Sequence, residues 1–271
     1  KVLSSIKDKN KTEDINAFFF SIENNAKIKD KKLFSYNTLL SNDEDLKVIF
    51  IYFYSSIIYH IAELMVKQNI QLPKHLIFSG TGSKILNIIT SDNKILATLS
   101  KKIFEEVFKQ EFDSEGLTVE TEKTMPKELT CKGGLMSNAS DLAFDIQSIK
   151  CTLTCLEKQG IDKLTYDQLI DETKDKIIEH VKKFNTFIIK LNSQYSFSDF
   201  FNASEKSLEI FKLEINKHLR DYLEEGLEFN KKLDEGSSDD REIEETLFFH
   251  PLIGTINNLS EQLSSLNDVN N

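Results

Sequence analysis

The sequence predicts a helix-rich α/β (or α+β) protein, and three observations lead to this prediction. The 271 residues include only nine glycines and three prolines, so most of the chain is expected to form regular structure. Apolar residues recur at intervals of three and four over long stretches, as on one face of an α-helix. Residues 76–78 and 117–120 instead have the short apolar or alternating pattern of β-strands.

Composition indicates a globular protein and argues against some classes of partner. Hydrophobic residues make up 39% of the chain and charged residues 29%, and the chain is long enough to bury a core. A net charge of −10 argues against non-specific binding of nucleic acid, which needs a basic surface.

Three cysteines, Cys131, Cys151 and Cys155, are an odd number, so we expect free thiols in a reducing, cytoplasmic compartment. Cys151 and Cys155 share a face of a predicted helix, but no histidine stands at ligand spacing beside them. We therefore expect small buried residues there rather than a metal site.

Residues 1–41 contain no chemical motif. We interpret them as the end of a subdomain that begins upstream. The chain opens at Lys1 without an initiator methionine and shows no signal peptide, so we expect it to be cut from a longer protein.

Residues 44–69 are the most apolar segment, with 16 apolar or aromatic residues among the 21 from Leu46 to Val66. Asn42 or Asp43 can cap the start of this helix. The length suits a bilayer span. However, Lys47, His60 and Glu63 lie inside the segment, and a charge at the bilayer centre costs about 2.5–3.5 kcal/mol. A helix buried inside an α/β domain is the favoured interpretation, with His60 in a structural rather than a catalytic role.

A predicted buried strand at 76–78 follows and ends in small residues. The turn behind it comprises Gly80, Thr81, Gly82, Ser83 and Lys84. A glycine-rich turn that leads from a strand into a helix exposes backbone N–H groups and favours an anion. We therefore consider a phosphate or a nucleotide as the first ligand.

The next elements are two helices, a strand and a further helix start. Ser91–Asn93 separates a short helix from a longer one within residues 85–112, and residues 117–120 alternate like a strand. Pro126 and Glu128 suit the first turn of this further helix, and Gly133-Gly134 would let the helix approach the sheet or a neighbouring helix closely.

Taken together, this order resembles the C-terminal lobe of the actin-like (ribonuclease-H-like) ATPase superfamily, which includes actin, heat-shock chaperone ATPases and sugar kinases. The strand and turn through Ser79-Gly80-Thr81-Gly82-Ser83 resemble the family's adenosine motif. Residues 126–134, about 45 positions later, resemble its closing helix. The resemblance covers residues 42–140, about a third of the chain.

The resemblance implies a role for each residue of the turn. Gly80, Thr81 and Gly82 would lie against the sugar and phosphates of ATP or ADP. Ser83 would cap the helix or touch the nucleotide, and Lys84 would lie beside the adenine. Thr81 departs from the family, where adjacent glycines are usual, and its Cβ restricts the approach of a ligand.

No catalytic residue is visible in this chain. The family's catalytic acidic residues lie mainly in its N-terminal half, so ATPase activity and bound magnesium would require an upstream lobe. Asp234-Glu235-Gly236 matches the Asp-x-Gly pattern of the family's phosphate-binding turn, but it lies in a predicted charged loop rather than behind a buried strand. Walker A, zinc-protease and nucleophile-elbow motifs do not occur.

The apolar pattern of residues 141–271 predicts a helical extension of the lobe. A capping box at 165–168 precedes one apolar stripe. Ser204 opens a second helix with an apolar stripe from Leu208 to Tyr222, and residues 255–266 form a last helix. The stripes predict an ordinary helical core or, alternatively, a surface for a protein partner. Phe248, Phe249 and Pro251 are candidates for docking to a partner or back onto the lobe.

Two functions are therefore expected from the sequence. The first is the C-terminal part of an actin- or chaperone-like ATPase or pseudo-ATPase. In such a protein the closure of the two lobes is transmitted to a partner protein. The alternative is a non-enzymatic helical interaction or scaffold domain. Neither membrane nor nucleic acid is expected as a partner.

Overall fold

The computed structural model describes residues 40–114, 116–121, 169–234 and 247–269, which form a helix-rich α/β structure. The N-terminal part comprises α1 (Glu44–Lys67), β1 (His75–Phe78), a 3-10 helix (Thr81–Ile85), α2 (Leu86–Ile89), α3 (Asn93–Phe108) and β2 (Thr118–Thr121). The C-terminal part comprises α4 (Asp171–Tyr195), α5 (Phe197–Phe201), α6 (Glu205–Glu214), α7 (Leu219–Asp234) and α8 (Phe249–Val269).

Helix α1 lies at the centre of the protein. Its start is fixed by Asp43, whose carboxylate accepts hydrogen bonds from the amides of Asp45 (3.1 Å) and Leu46 (2.9 Å). Helices α2, α3, α4, α6 and α8 all pack against it. Buried side chains such as Ile51, Tyr52 and Ile58 therefore belong to a core that surrounds the helix.

Among the described residues, α1 is the one helix with the length and composition of a membrane span, and 56% of its most apolar window is buried inside the protein. Because α1 packs against five helices, its apolar residues lie in the core of the protein. The expected absence of a membrane partner remains a prediction.

The two strands form a parallel pair, with His75 opposite Thr118 and Phe78 opposite Thr121. Parallel strands need a crossover connection, and here α2 and α3 provide it. Helix α3 packs against both α1 and β2, and the predicted break at residues 91–93 is confirmed, with Asp92 as the α3 cap. One face of the sheet, which carries Val119, is directed toward this helical layer.

The C-terminal helices continue the same core rather than forming a separate one. A single cluster of buried side chains extends from α1 through α3 to α8. The predicted boundary between residues 42–140 and 141–271 falls outside the described residues and remains a prediction. The same holds for the proposed end of an upstream subdomain, of which only residues 40 and 41 are described.

Three predicted details of the C-terminal half need correction. Helix α4 begins at Asp171, with Ile170 as a cap that makes no side-chain hydrogen bond, so it does not start at the predicted capping box. The apolar stripe from Leu208 to Tyr222 spans two helices, because a turn between α6 and α7 interrupts it. Helix α8 begins at Phe249, six residues before the predicted start, because Pro251 is accommodated in its first turn.

Helices α7 and α8 approach each other closely at two glycines. A Cβ atom on Gly254 would lie 2.3 Å from Cγ of Tyr222, and one on Gly226 would lie 2.6 Å from Nδ1 of His250. The close contact holds the start of α8 in place. Phe248, which precedes it, is thereby packed into the core with Leu247 and Leu252. Of the two predicted docking modes for residues 248–251, the structure has the contact back onto α1.

Candidate functional site

The predicted turn lies directly behind β1, at the carboxyl end of the parallel strand pair. Gly80 has a φ of +83°, a conformation that glycine adopts without the strain that a side chain would add. Ser83 closes the turn, since its amide (3.2 Å) and its hydroxyl (2.8 Å) both donate to the Gly80 carbonyl. The Ser83 hydroxyl is therefore engaged within the turn in this structure.

The helix behind the turn differs from the expected regular α-helix. Residues Thr81–Ile85 form a 3-10 helix, and the following α2 has four residues. A helix of one turn has a much smaller dipole than a long helix, so the predicted attraction for an anion is reduced. Thr81, Gly82 and Lys84 all lie on the 3-10 segment.

The backbone of the turn is accessible. Apart from its chain neighbours, no atom of the described residues lies within 4 Å of a Cβ atom built on Gly80 or on Gly82. Gly82 is exposed and, unlike Gly80, has no positive φ. Four concavities lined by described residues lie elsewhere in the protein. Within the described structure, the turn thus presents an open backbone edge.

The partner motif at residues 126–134 and the three cysteines lie outside the described residues, as do the loop at 235–246 and the capping box at 165–168. Within the described ranges, no group of three or more histidine, cysteine or acidic side chains is arranged to hold a metal ion.

Away from the turn, a group of polar side chains lies where α1, α4 and the start of α8 meet. Glu63 accepts a hydrogen bond across the helix interface from Nε2 of His180, at 2.8 Å. Burial and the charge of Glu63 raise the pKa of the neighbouring Tyr59. His60 is 8% exposed and stacks on Phe248, with ring centroids 5.6 Å apart and an interplanar angle of 8°. Its Nδ1 is buried and has no hydrogen-bond partner among the described residues. His60 is therefore a core residue, as the structural interpretation expects, and the expectation that it is not catalytic remains a prediction.

The protonation of His60 should make stability depend on pH. Burial lowers the pKa of His60, and the nearby His180 lowers it further, whereas Glu63 acts in the opposite direction. Burial also lowers the pKa of His250. The unfolded chain therefore binds more protons than the folded one as pH falls through about 6.5, and stability decreases.

We expect the free energy of unfolding to be lower at pH 5 than at pH 7.5. In that window each buried histidine contributes a slope of at most about 1.4 kcal/mol per pH unit. His60→Phe should reduce the difference, because phenylalanine keeps a ring beside Phe248 and does not titrate. Urea unfolding at both pH values measures this, with His75→Phe on the exposed strand β1 as the control. An unchanged pH dependence in His60→Phe would refute the assignment.

The sequence provided no signal for the pairing of Glu63 with His180, which are 117 residues apart. The turn at 80–84, in contrast, is a local feature and was accessible to sequence reasoning. Comparisons of the chain with protein-family models, with curated proteins and with solved structures found no match.

Proposed function

We propose that this chain is the C-terminal part of an actin- or chaperone-like nucleotide-binding protein and contributes the adenosine side of its cleft. Gly80, Thr81, Gly82, Ser83 and Lys84 are the residues that we assign to ATP or ADP. Magnesium and the catalytic groups would come from an upstream lobe of the same protein. The expectations of a cytoplasmic protein and of no nucleic-acid partner remain predictions.

The observation that carries this proposal is the position of the turn. It follows the carboxyl end of β1 in a parallel strand pair connected through helices. Ligands of open α/β sheets bind outside the carboxyl ends of the strands, where loops leave backbone groups accessible. The order of helix, strand, turn, helix and strand is also the order that the resemblance to the actin-like lobe implies.

Gly82 supplies a second argument. The positive φ of Gly80 explains why that residue is glycine, but Gly82 has neither a positive φ nor a close neighbour in the described structure. A ligand lying against the backbone would supply a reason for glycine at this position. If the turn forms one side of a nucleotide cleft, its backbone edge is expected to be open when the other side is absent, and the turn presents such an edge.

A pair of glycine substitutions tests the proposal. Gly82→Leu adds a side chain whose Cβ meets no atom of the described residues within 4 Å, at a position without a positive φ, so the protein should fold while the approach of a nucleotide is blocked. We expect the affinity for ADP, measured by isothermal titration calorimetry, to fall at least about tenfold, since an obstructed contact of 1.4 kcal/mol has this effect.

Gly116→Leu is the matched control. Gly116 also has an open Cβ position and precedes the amino end of β2, away from the turn. Its φ of +68° makes the control the more strained of the two variants. Equal affinities of Gly82→Leu and the unmodified chain, or equal losses in both variants, would contradict the proposal.

The alternative, a helical interaction domain, is favoured by a different observation. Leu213 on α6 and Phe229 on α7 are 67% and 62% exposed, and a groove separates α3 from α4. Residues 248–251, in contrast, are engaged within the protein. A protein partner bound through the helical region is compatible with both functions.

A further inference from the structure

A long groove runs between α3 and α4, on the outside of the core. Two adjoining concavities of about 540 and 520 Å³ form it and share Glu106, Lys109, Phe187 and Lys190. On α4 the lining residues extend from Glu179 to Tyr195, a distance of about 24 Å at 1.5 Å per residue. We refer to this feature as the α3–α4 groove.

The wall formed by α4 is basic in an otherwise acidic protein. No acidic residue occurs between Glu179 and Asp199, whereas Lys182, Lys183 and Lys190 line the groove. All three lysines are exposed, and none has an ion-pair partner within the described ranges.

Glu105 and Glu106, the acidic residues of α3 that line the groove, are already engaged with lysines of α3 and of its C-cap, Lys109. Glu105 contacts Lys101 (3.7 Å) and Lys102 (2.8 Å), and Glu106 contacts Lys109 (2.5 Å). These pairs neutralise Glu105 and Glu106. Of the remaining charged residues that line the groove, Lys182, Lys183 and Lys190 outnumber Glu111 and Glu179, so the charge available to a ligand is net positive.

The floor of the groove is apolar and rigidly supported. Tyr59 and Phe187 are partly buried against the core, with ring centroids 6.2 Å apart, and Leu191 is buried. Tyr59 also packs on Phe184 and Phe248, so the floor is continuous with the central core. An apolar floor between charged walls is the arrangement into which an amphipathic helix fits.

We propose that the α3–α4 groove binds an acidic amphipathic helix of a partner protein. Apolar side chains of that helix would contact Tyr59, Phe187 and Leu191, and its flanking carboxylates would face Lys182, Lys183 and Lys190. A nucleic acid is a poorer match, because its phosphates cannot use the apolar floor and the chain carries a net charge of −10. The inference does not depend on nucleotide binding at Gly80–Lys84.

The test uses the full chain and a fluorescein-labelled synthetic peptide. A helix of about 16 residues matches the groove in length. The probe has leucines at helical spacing and glutamates elsewhere, and a second peptide replaces the glutamates with lysines. Fluorescence anisotropy should show binding of the acidic peptide and weaker binding at higher salt. We expect the basic peptide to bind at least about tenfold more weakly.

Two double variants locate the binding site. The groove variant combines Lys182→Glu with Lys183→Glu, and the control combines Lys94→Glu with Lys206→Glu. All four lysines are exposed, and both variants change the net charge equally. We expect the groove variant to lose at least about tenfold in affinity and the control at most about twofold, since rim charges act mainly at short range. Circular dichroism verifies that both variants are folded.

Several results would overturn the proposal. Equal losses of affinity in the two variants would mean that the peptide is held by general charge attraction. Equal binding of the two peptides would mean that the lysines do not distinguish an acidic from a basic helix. Tighter binding after neutralising Asp239, Asp240, Glu242 and Glu244 would make the chain's own acidic segment the occupant. Self-association that competes with the peptide would make a second copy the occupant.

Discussion

Replacing Phe248 with alanine is expected to destabilise the protein by about 3–5 kcal/mol. Phe248 is 1% exposed, and its ring packs on Tyr59, His60, His180 and Phe184 from α1 and α4. Alanine removes these contacts and leaves a cavity where α8 docks. Urea unfolding monitored by circular dichroism measures the change.

Phe229→Ala is the control for this substitution. Phe229 lies on α7 and is 62% exposed, so the same chemical change should alter stability by less than about 0.5 kcal/mol. A loss below about 1 kcal/mol in Phe248→Ala would mean that the start of α8 does not pack on α1, because a buried phenylalanine contributes more than this.

Asn185→Ala is the second substitution with a large expected effect. Asn185 is fully buried; its side-chain amide donates to the Ile215 carbonyl (2.6 Å), and its carbonyl accepts from the Tyr52 hydroxyl (2.7 Å). Burial raises the pKa of Tyr52 well above its ordinary value, so the phenol stays protonated and donates. Alanine leaves two buried polar groups without partners, at about 1–3 kcal/mol each.

A double-mutant cycle distinguishes lost hydrogen bonds from lost packing. Once Asn185 is alanine, the Tyr52 hydroxyl has already lost its acceptor, so Tyr52→Phe should be less destabilising there than in the unmodified chain. We expect a coupling free energy of about 0.5–3 kcal/mol from the four urea unfolding curves. A coupling of zero would show that the two side chains do not interact.

The elements that the sequence predicted correctly have local signals. Asp43, Asp92 and Ser204 each cap a helix through a side-chain oxygen, and the corresponding helix starts were predicted from those residues or their neighbours. Helix α4 begins behind Ile170, which offers no such oxygen, and its start was misplaced. The start of α8 was also misplaced, since the helix begins at Phe249 and has Pro251 in its first turn.

The candidate turn was predictable because its glycines, serine and lysine are consecutive in the chain. The contacts that organise the protein are not local. Tyr52 and Asn185 are 133 residues apart, and no periodicity in the sequence links them. The α3–α4 groove likewise combines residues of two distant helices, and only the absence of acidic residues between Glu179 and Asp199 could have indicated its charge.

The amide resonances of Gly80 and Gly82 test most directly whether a nucleotide lies against the turn at residues 80–84. Backbone chemical shifts during a titration with ADP detect even the weak binding expected of half a cleft. We predict saturable shifts that include both glycines and are centred on residues 80–84, and that are lost in Gly82→Leu. Saturating ADP that leaves these two amides unchanged, or that shifts residues elsewhere instead, would contradict the account.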